Sequence, residues 1–139
     1  MKIVITGGAG FLGQRLAARL LERGEAVDSE GKTRDISELV LFDIAPEVPL
    51  ADPRLSYISG DITNPEKVRA LIDEKTSSIF HLAAVVSAQA EEDFDLGYRI
   101  NLDGTRQVLE AARALPHLPK VIFTSSIATY GGTLPDVVT

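Results

Sequence analysis

The sequence contains no cysteine, which excludes a disulfide framework and a thiolate metal site. Its 2 histidines, His81 and His117, lie far apart in the chain, so metal chemistry is not expected and no metal ligand is assigned. No stretch reaches the roughly 18 apolar residues of a membrane-spanning helix. The N-terminus enters a strand pattern at once instead of a charged region followed by an apolar signal segment, so a cytoplasmic protein with no membrane partner is expected. Lys and Arg number 14 against 20 Asp and Glu, giving a net charge of −6 without any basic block. That balance argues against a nucleic-acid partner, because affinity for the phosphate backbone rests on clustered Lys and Arg. A P-loop is excluded as well, since no Gly-Lys-Ser/Thr follows a glycine-rich turn. Internal repeats and low-complexity segments are absent.

What remains is the composition of one ordinary globular domain: 139 residues, 45% hydrophobic and 24% charged, with room for a sizeable core. Its most informative stretch is Lys2-Ile3-Val4-Ile5-Thr6-Gly7-Gly8-Ala9-Gly10-Phe11-Leu12-Gly13. A short apolar strand runs into a glycine-rich turn and then into an amphipathic helix, the layout of a dinucleotide-binding βα unit. One glycine permits the tight turn, one lets the backbone approach a pyrophosphate, and Gly13 lets the helix pack closely on the strand. Amide hydrogens at the helix start then face the anion. The glycines satisfy both Gly8-x-Gly10-x-x-Gly13 and the wider Gly7-x-x-Gly10-x-x-Gly13 spacing.

Apolar runs at Ile3 to Ile5, Leu39 to Phe42, Leu55 to Ile58, Ile79 to Leu82 and Val121 to Phe123 predict strands, with helical patterns between most of them. Leu12, Leu16 and Leu20 recur at helical spacing before a Gly24 stop. Asn64-Pro65-Glu66 reads as N-cap, first-turn proline and an acid near the helix dipole, with Val68, Leu71 and Ile72 as the buried stripe. A third helix is expected from about Asp93 to Ala114, with Phe94, Tyr98, Asn101, Thr105, Val108 and Ala112 turned to the sheet. Asp28 to Asp35 reads as a surface loop. Runs that are apolar on both faces and alternate with helices predict an α/β, doubly wound parallel sheet of the Rossmann type, in strand order 3-2-1-4-5. Residues 1–139 would form one such domain, ending after its fifth strand and leaving an apolar sheet edge open.

The candidate site residues fall at the carboxyl ends of the strands, where open α/β sheets bind ligands. Asp43 ends the second strand, where a carboxylate accepts hydrogen bonds from adenosine ribose hydroxyls and repels a 2′-phosphate, although it lies further past the glycines than the usual spacing of about 20. Asp61 and Ile62 follow the third strand and could meet the adenine amino group and ring; alternatively Asp61 caps the turn before Asn64. Leu82, Ala83 and Ala84 after the fourth strand would let the cofactor's central portion lie against the backbone, with His81 as a structural histidine. Asn101 reads as a buried amide that needs partners and could bridge the loops after the fourth and fifth strands. Thr124, Ser125 and Ser126 follow the fifth strand, where a hydroxyl can orient a substrate's alcohol or carbonyl; Ser87 and Gln89 are further candidate substrate contacts.

With these residues in place, the chain resembles the extended short-chain dehydrogenase/reductase (NAD-dependent epimerase/dehydratase) family over nearly its whole length. The motifs that carry the resemblance are Thr6 to Gly13, Gly60-Asp61-Ile62, His81-Leu82-Ala83-Ala84, Asn101-Leu102-Asp103-Gly104-Thr105, and Thr124-Ser125-Ser126 with Tyr130-Gly131. The resemblance implies NAD as cofactor, held by Gly7, Gly10, Phe11, Leu12, Gly13, Asp43, Asp61, Ile62, Leu82, Ala83, Ala84, Asn101 and Thr124. It implies Ser126 as the catalytic hydroxyl, assisted by a tyrosine whose pKa is lowered by a lysine four residues on. It further implies oxidation of the C2 hydroxyl of a four-carbon sugar acid such as D-erythronate, and a homodimer in the full-length protein.

The chain departs from that pattern in one respect. Tyr57, Tyr98 and Tyr130 are followed four positions later by Asp61, Leu102 and Leu134, so it holds no Tyr-x-x-x-Lys pair. A tyrosine of pKa near 10 needs a cationic neighbour to act as a base near neutrality. The expectation is therefore the N-terminal, cofactor-binding part of a longer enzyme, without turnover by itself. The alternatives are a nucleotide-sugar epimerase or dehydratase with recycled NAD, and a non-catalytic NAD-binding module.

Overall fold

The computed structural model describes residues 1–45 and 50–126. Strands β1 (Lys2–Thr6), β4 (Glu38–Asp43), β5 (Leu55–Ser59), β6 (Thr76–His81) and β7 (Lys120–Phe123) form a 5-stranded sheet in the spatial order β5-β4-β1-β6-β7. Every described pairing in it is parallel, so the expected 3-2-1-4-5 order holds. The central strand β1 is buried at all 5 positions, as a strand covered on both faces must be. Its side chains alternate between two cores. Ile3 and Ile5 pack with Leu39, Leu41 and Ala17 on one face, while Val4 packs with Val40, Phe42, Val68, Leu71 and Val108 on the other.

Helix α1 (Phe11–Arg23) covers the first face and stops at Gly24, whose φ of 74° lets its N–H bond Leu20 O at 2.9 Å. Of the expected leucine stripe, Leu16 and Leu20 are half-buried, but Leu12 is 61% exposed. Close approach of the helix to the strand is made instead by Gly13 and Ala17, its fully buried residues, and a first-turn leucine therefore lies beyond the core. Helix α2 (Pro65–Leu71) is capped as expected: Asn64 Oδ1 accepts from Glu66 N–H at 3.0 Å and Lys67 N–H at 3.1 Å.

Two expectations are corrected. Of the Asp28 to Asp35 segment expected as a surface loop, residues 28–32 form a turn, but β3 (Thr33–Asp35) is a strand that pairs antiparallel with β2 (Glu25–Val27) as a hairpin. Asp28 organises its turn, accepting from Glu30 N–H and Lys32 N–H, both at 2.9 Å, and from Arg34 Nε at 3.1 Å. The Lys32 amide, together with the Arg34 guanidinium, holds the carboxyl below its ordinary range despite the opposing cost of burial.

The helix expected from Asp93 to Ala114 runs without a break from Phe94 to Arg113, but not at constant pitch: α4 (Phe94–Tyr98) passes through a π-helical turn over Arg99–Gly104 into α5 (Thr105–Arg113), and a further short helix, α3 (Ser87–Glu92), precedes it. A π turn bonds i to i+5 and so adds a residue to the turn, rotating the residues before it by about 100° relative to those after it. Phe94 and Tyr98 consequently face solvent, at 71% and 54% exposure. Gly97 and Gly104 occupy the buried line that leads into Val108 and Ala112.

The amino edge of the sheet is closed by bonds that hold structure. The buried Lys2 Nζ donates to Leu71 O and pairs with Asp73 Oδ2, each at 2.9 Å, and His117 Nε2–H donates to Thr76 O at 2.9 Å. The opposite edge is where side chains and backbone leave open grooves.

Candidate functional site

At the end of β1 the chain turns through Gly7, whose φ of 70° lies in the left-handed region. A side chain there would strike the backbone of Leu82 and Ala83, since a Cβ would sit 2.8 Å from Ala83 N. No side chain caps α1, and its first intrahelical bond runs from Gln14 N–H to Gly10 O at 3.0 Å. The amides of Phe11, Leu12 and Gly13 thus belong to the unpaired first turn, where an anion is favoured. Phe11 and Leu12 are 71% and 61% exposed at this mouth, with the Arg15 guanidinium 4.8 Å from the Phe11 ring centroid. Gly13 lies beneath the turn, where a Cβ would meet Gly8 Cα at 2.7 Å.

Two adjoining grooves cross the carboxyl edge of the sheet and share Ala83, Ala84 and Val85. The first, of ≈ 450 Å³, brings Gly7 and Gly10 together with Asp43, Asp61, Ile62 and Leu82. The second, of ≈ 570 Å³, runs to Asn101, Thr124 and Ser126. Both are within the size range of small-molecule pockets, about 300–1,000 Å³. Gln89 lines the first groove. Tyr130 and Gly131 lie outside the described residues.

The acids in the groove already have local work. Asp43 Oδ2 accepts from Ala9 N–H at 2.9 Å and Oδ1 from Ala45 N–H at 3.0 Å, so the carboxylate ties the end of β4 to the glycine turn. Each carboxylate oxygen has a second lone pair, which leaves acceptor capacity for hydroxyls. Asp61 Oδ1 accepts from Thr63 N–H and Thr63 Oγ1, both at 2.8 Å; it braces the turn before Asn64 while lining the groove. Ile62 is 5% exposed and fits against Gly104, where a Cβ would approach Ile62 Cγ2 at 2.8 Å.

Asn101 is exposed rather than buried, because the π turn carries it to the groove wall and not onto the sheet. Its amide nevertheless bonds the loop after β6 at both ends: Oδ1 accepts from Val85 N–H at 2.8 Å and Nδ2 donates to Val85 O at 3.0 Å. Sequence reasoning did not single out Val85, whose only signal is its distance along the loop. It placed Thr105 on the sheet-facing stripe but assigned it no role, although the Asn101-x-x-x-Thr105 spacing, one helical turn, was available.

His81, at the end of β6, is 2% exposed. Its polar neighbours are hydroxyls: Thr6 Oγ1 lies 2.6 Å from Nδ1 and Thr105 Oγ1 lies 2.9 Å from Nε2. Burial pushes the imidazole pKa down from its ordinary value. The unfolded chain therefore takes up a proton at a pH where the folded ring does not. The stability this ring contributes is complete above the ordinary imidazole value, about 6.5, and is lost as pH falls through the lower folded value. Urea unfolding is expected to show a steeper fall in midpoint on acidification for the wild type than for His81→Gln. Equal slopes would remove His81 as a source of acid sensitivity.

Among the described residues no group of 3 or more His, Cys, Asp or Glu could hold a metal ion, and no helix is long and apolar enough to cross a membrane. A glycine turn that side chains would obstruct, an uncapped helix mouth and a strand-end acid beside it form one continuous cradle. Its features fit a dinucleotide.

Comparison with known proteins agrees with this geometry. The model of the NAD dependent epimerase/dehydratase family matches residues 3–137. D-erythronate dehydrogenase of Cupriavidus necator is 51% identical over 138 residues, covering 99% of this chain and 42% of that protein. The crystal structure of a nucleoside-diphosphate-sugar epimerase from Agrobacterium tumefaciens superposes with a TM-score of 0.83 at 40% identity, over 97% of this chain and 40% of that one. A uronate dehydrogenase from Agrobacterium tumefaciens, solved as a mutant complexed with NAD, gives a TM-score of 0.70 at 27% identity, over 90% of this chain and 40% of that one. The chain thus spans under half the length of the proteins it matches.

Proposed function

Because the chain belongs to the NAD dependent epimerase/dehydratase family, we propose that residues 1–139 are the NAD-binding domain of a longer dehydrogenase that oxidises the C2 hydroxyl of a four-carbon sugar acid. The observation that carries the cofactor assignment is the junction of the glycine turn with Asp43, whose carboxylate bonds Ala9 N–H. In this reading Phe11 and Leu12 amides hold the diphosphate, Asp43 the adenosine ribose, and Asp61 with Ile62 the adenine. Gly7, Gly10 and Gly13 keep the backbone close, and Leu82, Ala83 and Ala84 form the floor under the cofactor's middle. Asn101 and Thr124 flank the far end. Bound NAD supplies the acceptor for the hydride on C2.

Ser126 hydrogen-bonds the substrate hydroxyl and holds its oxygen as the C=O bond forms. The hydroxyl proton requires a base, and this chain has no tyrosine paired with a lysine four residues on. We assign that base to the portion of the longer relatives beyond the match. The sugar acid as substrate rests on the 51% identity to a D-erythronate dehydrogenase. We also propose that the full-length protein is a homodimer, supported by the exposed apolar line of Phe94, Tyr98, Leu102 and Leu109 on one helical segment. Sedimentation equilibrium returning a monomer would overturn it.

Asp43→Ala is expected to weaken NAD binding by about 1–3 kcal/mol, the range for hydrogen bonds to a charged group. Calorimetry that finds unchanged affinity would remove Asp43 from the site. A second reading, a nucleotide-sugar epimerase with recycled cofactor, is favoured by the superposition on an epimerase with a TM-score of 0.83. Net NADH formation by the full-length protein on D-erythronate supports the first reading. Tight NAD retention with no NADH released, on nucleotide sugars, supports the second.

A further inference from the structure

The buried His81 joins elements that the proposed mechanism treats separately. Thr6 on β1, Thr105 on α5 and Phe123 on β7 all meet its ring, the last with centroids 5.9 Å apart. The direction of each hydrogen bond follows from chemistry. Thr105 Oγ1–H donates to Asn101 O at 2.7 Å, because a carbonyl only accepts. That spends the hydroxyl's one proton, so the 2.9 Å contact to His81 requires Nε2–H to donate to Thr105 Oγ1. In the neutral ring Nδ1 is then the acceptor, and Thr6 Oγ1–H donates to it across 2.6 Å. Thr6 Oγ1 in turn accepts from Ala83 N–H at 3.3 Å. One unidirectional chain therefore runs from Ala83 N–H through Thr6, His81 and Thr105 to the carbonyl of Asn101, and dipoles aligned in this way reinforce one another.

The chain ends on the residue that grips the groove. The Asn101 backbone carbonyl is held by Thr105, while its side-chain amide clamps Val85 by both N–H and C=O. Val85 belongs to both grooves. The residues that start and finish the chain, Ala83 and Asn101, therefore both lie on the wall against which the cofactor is proposed to rest.

We propose that His81 is a positioning residue of this site: fixed as the Nε2–H tautomer, it orients Thr105 and so holds Asn101 where its amide fastens the Val85 loop along the groove. The role rests on the reading of the groove as the NAD site, although its structural half can be tested without the cofactor. An apolar residue of the same volume would fill the space but leave the Thr6 and Thr105 hydroxyls without their partner.

The test uses the full-length protein. Long-range ¹H–¹⁵N correlation spectra at neutral pH are expected to show His81 as the Nε2–H tautomer; an Nδ1–H ring or an even mixture overturns the proposal. Thr105→Val removes the acceptor while keeping the shape, and is expected to speed amide exchange at Val85 and raise the NAD dissociation constant, each by about tenfold, the size of one lost hydrogen bond. Thr105→Ser is expected to restore both. Exchange that stays at the wild-type rate at Val85, or that rises equally throughout β4, overturns the positioning role. A wild type that binds no NAD overturns the proposed function instead, leaving tautomer and exchange to decide the role of His81.

Discussion

Gly13→Ala is expected to lower NAD affinity by about 100-fold while leaving the far-ultraviolet spectrum of the protein unchanged. The added Cβ would run into the carbonyl oxygen of Gly7 and stand 2.7 Å from Gly8 Cα and 2.8 Å from Gly8 O. These are backbone atoms of the turn itself and cannot swing aside as a side-chain tip can. Relief must come from moving the turn away from α1 or α1 away from β1. Overpacking of this kind costs about 1–3 kcal/mol, and the upper end corresponds to a 100-fold change in a binding constant. The displaced turn adjoins the Phe11 and Leu12 amides proposed to hold the diphosphate, so the strain is expected to fall on affinity as well as on stability. Isothermal titration of NAD into the variant reads the effect directly, and an affinity within about threefold of the wild type would show that the turn does not form the cofactor's seat.

Ser126→Ala in the full-length enzyme is expected to lower kcat by about 10²–10³-fold, the effect of deleting one donor that steadies a developing oxyanion, with the NAD dissociation constant changed less than threefold. The split is the diagnostic. Ser126 lies in the second groove with Asn101 and Thr124, whereas the glycine turn and Asp43 line the first. A residue that touches the reacting oxygen acts on turnover; one that shapes the pocket acts on both constants. Equal losses in kcat and in NAD affinity would assign Ser126 to holding the strand-end loop together.

Much of the architecture was legible because its signals are local. Ile3 to Ile5 and Leu39 to Leu41 are apolar on both faces, and such runs belong inside a covered parallel sheet. Asn64-Pro65-Glu66 announces a helix start through the chemistry of one turn, and the structure holds that cap. Asp43 and Asp61 were legible for the same reason, as acids at strand ends. Their bonds to Ala9 and Thr63 were not, because partners across a turn depend on how the loop closes. The hairpin that replaces the expected loop escaped notice because its strands are 3 residues each, too short to set up an alternating pattern. Phe94 and Tyr98 were misassigned to the core because a constant period of 3.6 was carried through a turn that does not keep it.

By itself the sequence determined the strands, the glycine turn and the strand ends at which a ligand can sit, since each follows from neighbours a few residues apart; the alternation of doubly apolar strands with helices then pointed to the sheet order. The tertiary structure alone decided the face presented by the Asn101 helix, the grip on Val85 and the setting of the His81 ring between two hydroxyls. Those depend on hydrogen bonds whose partners are 16, 24 and 75 positions apart in the chain, and such pairings exist only once the strands have been brought side by side.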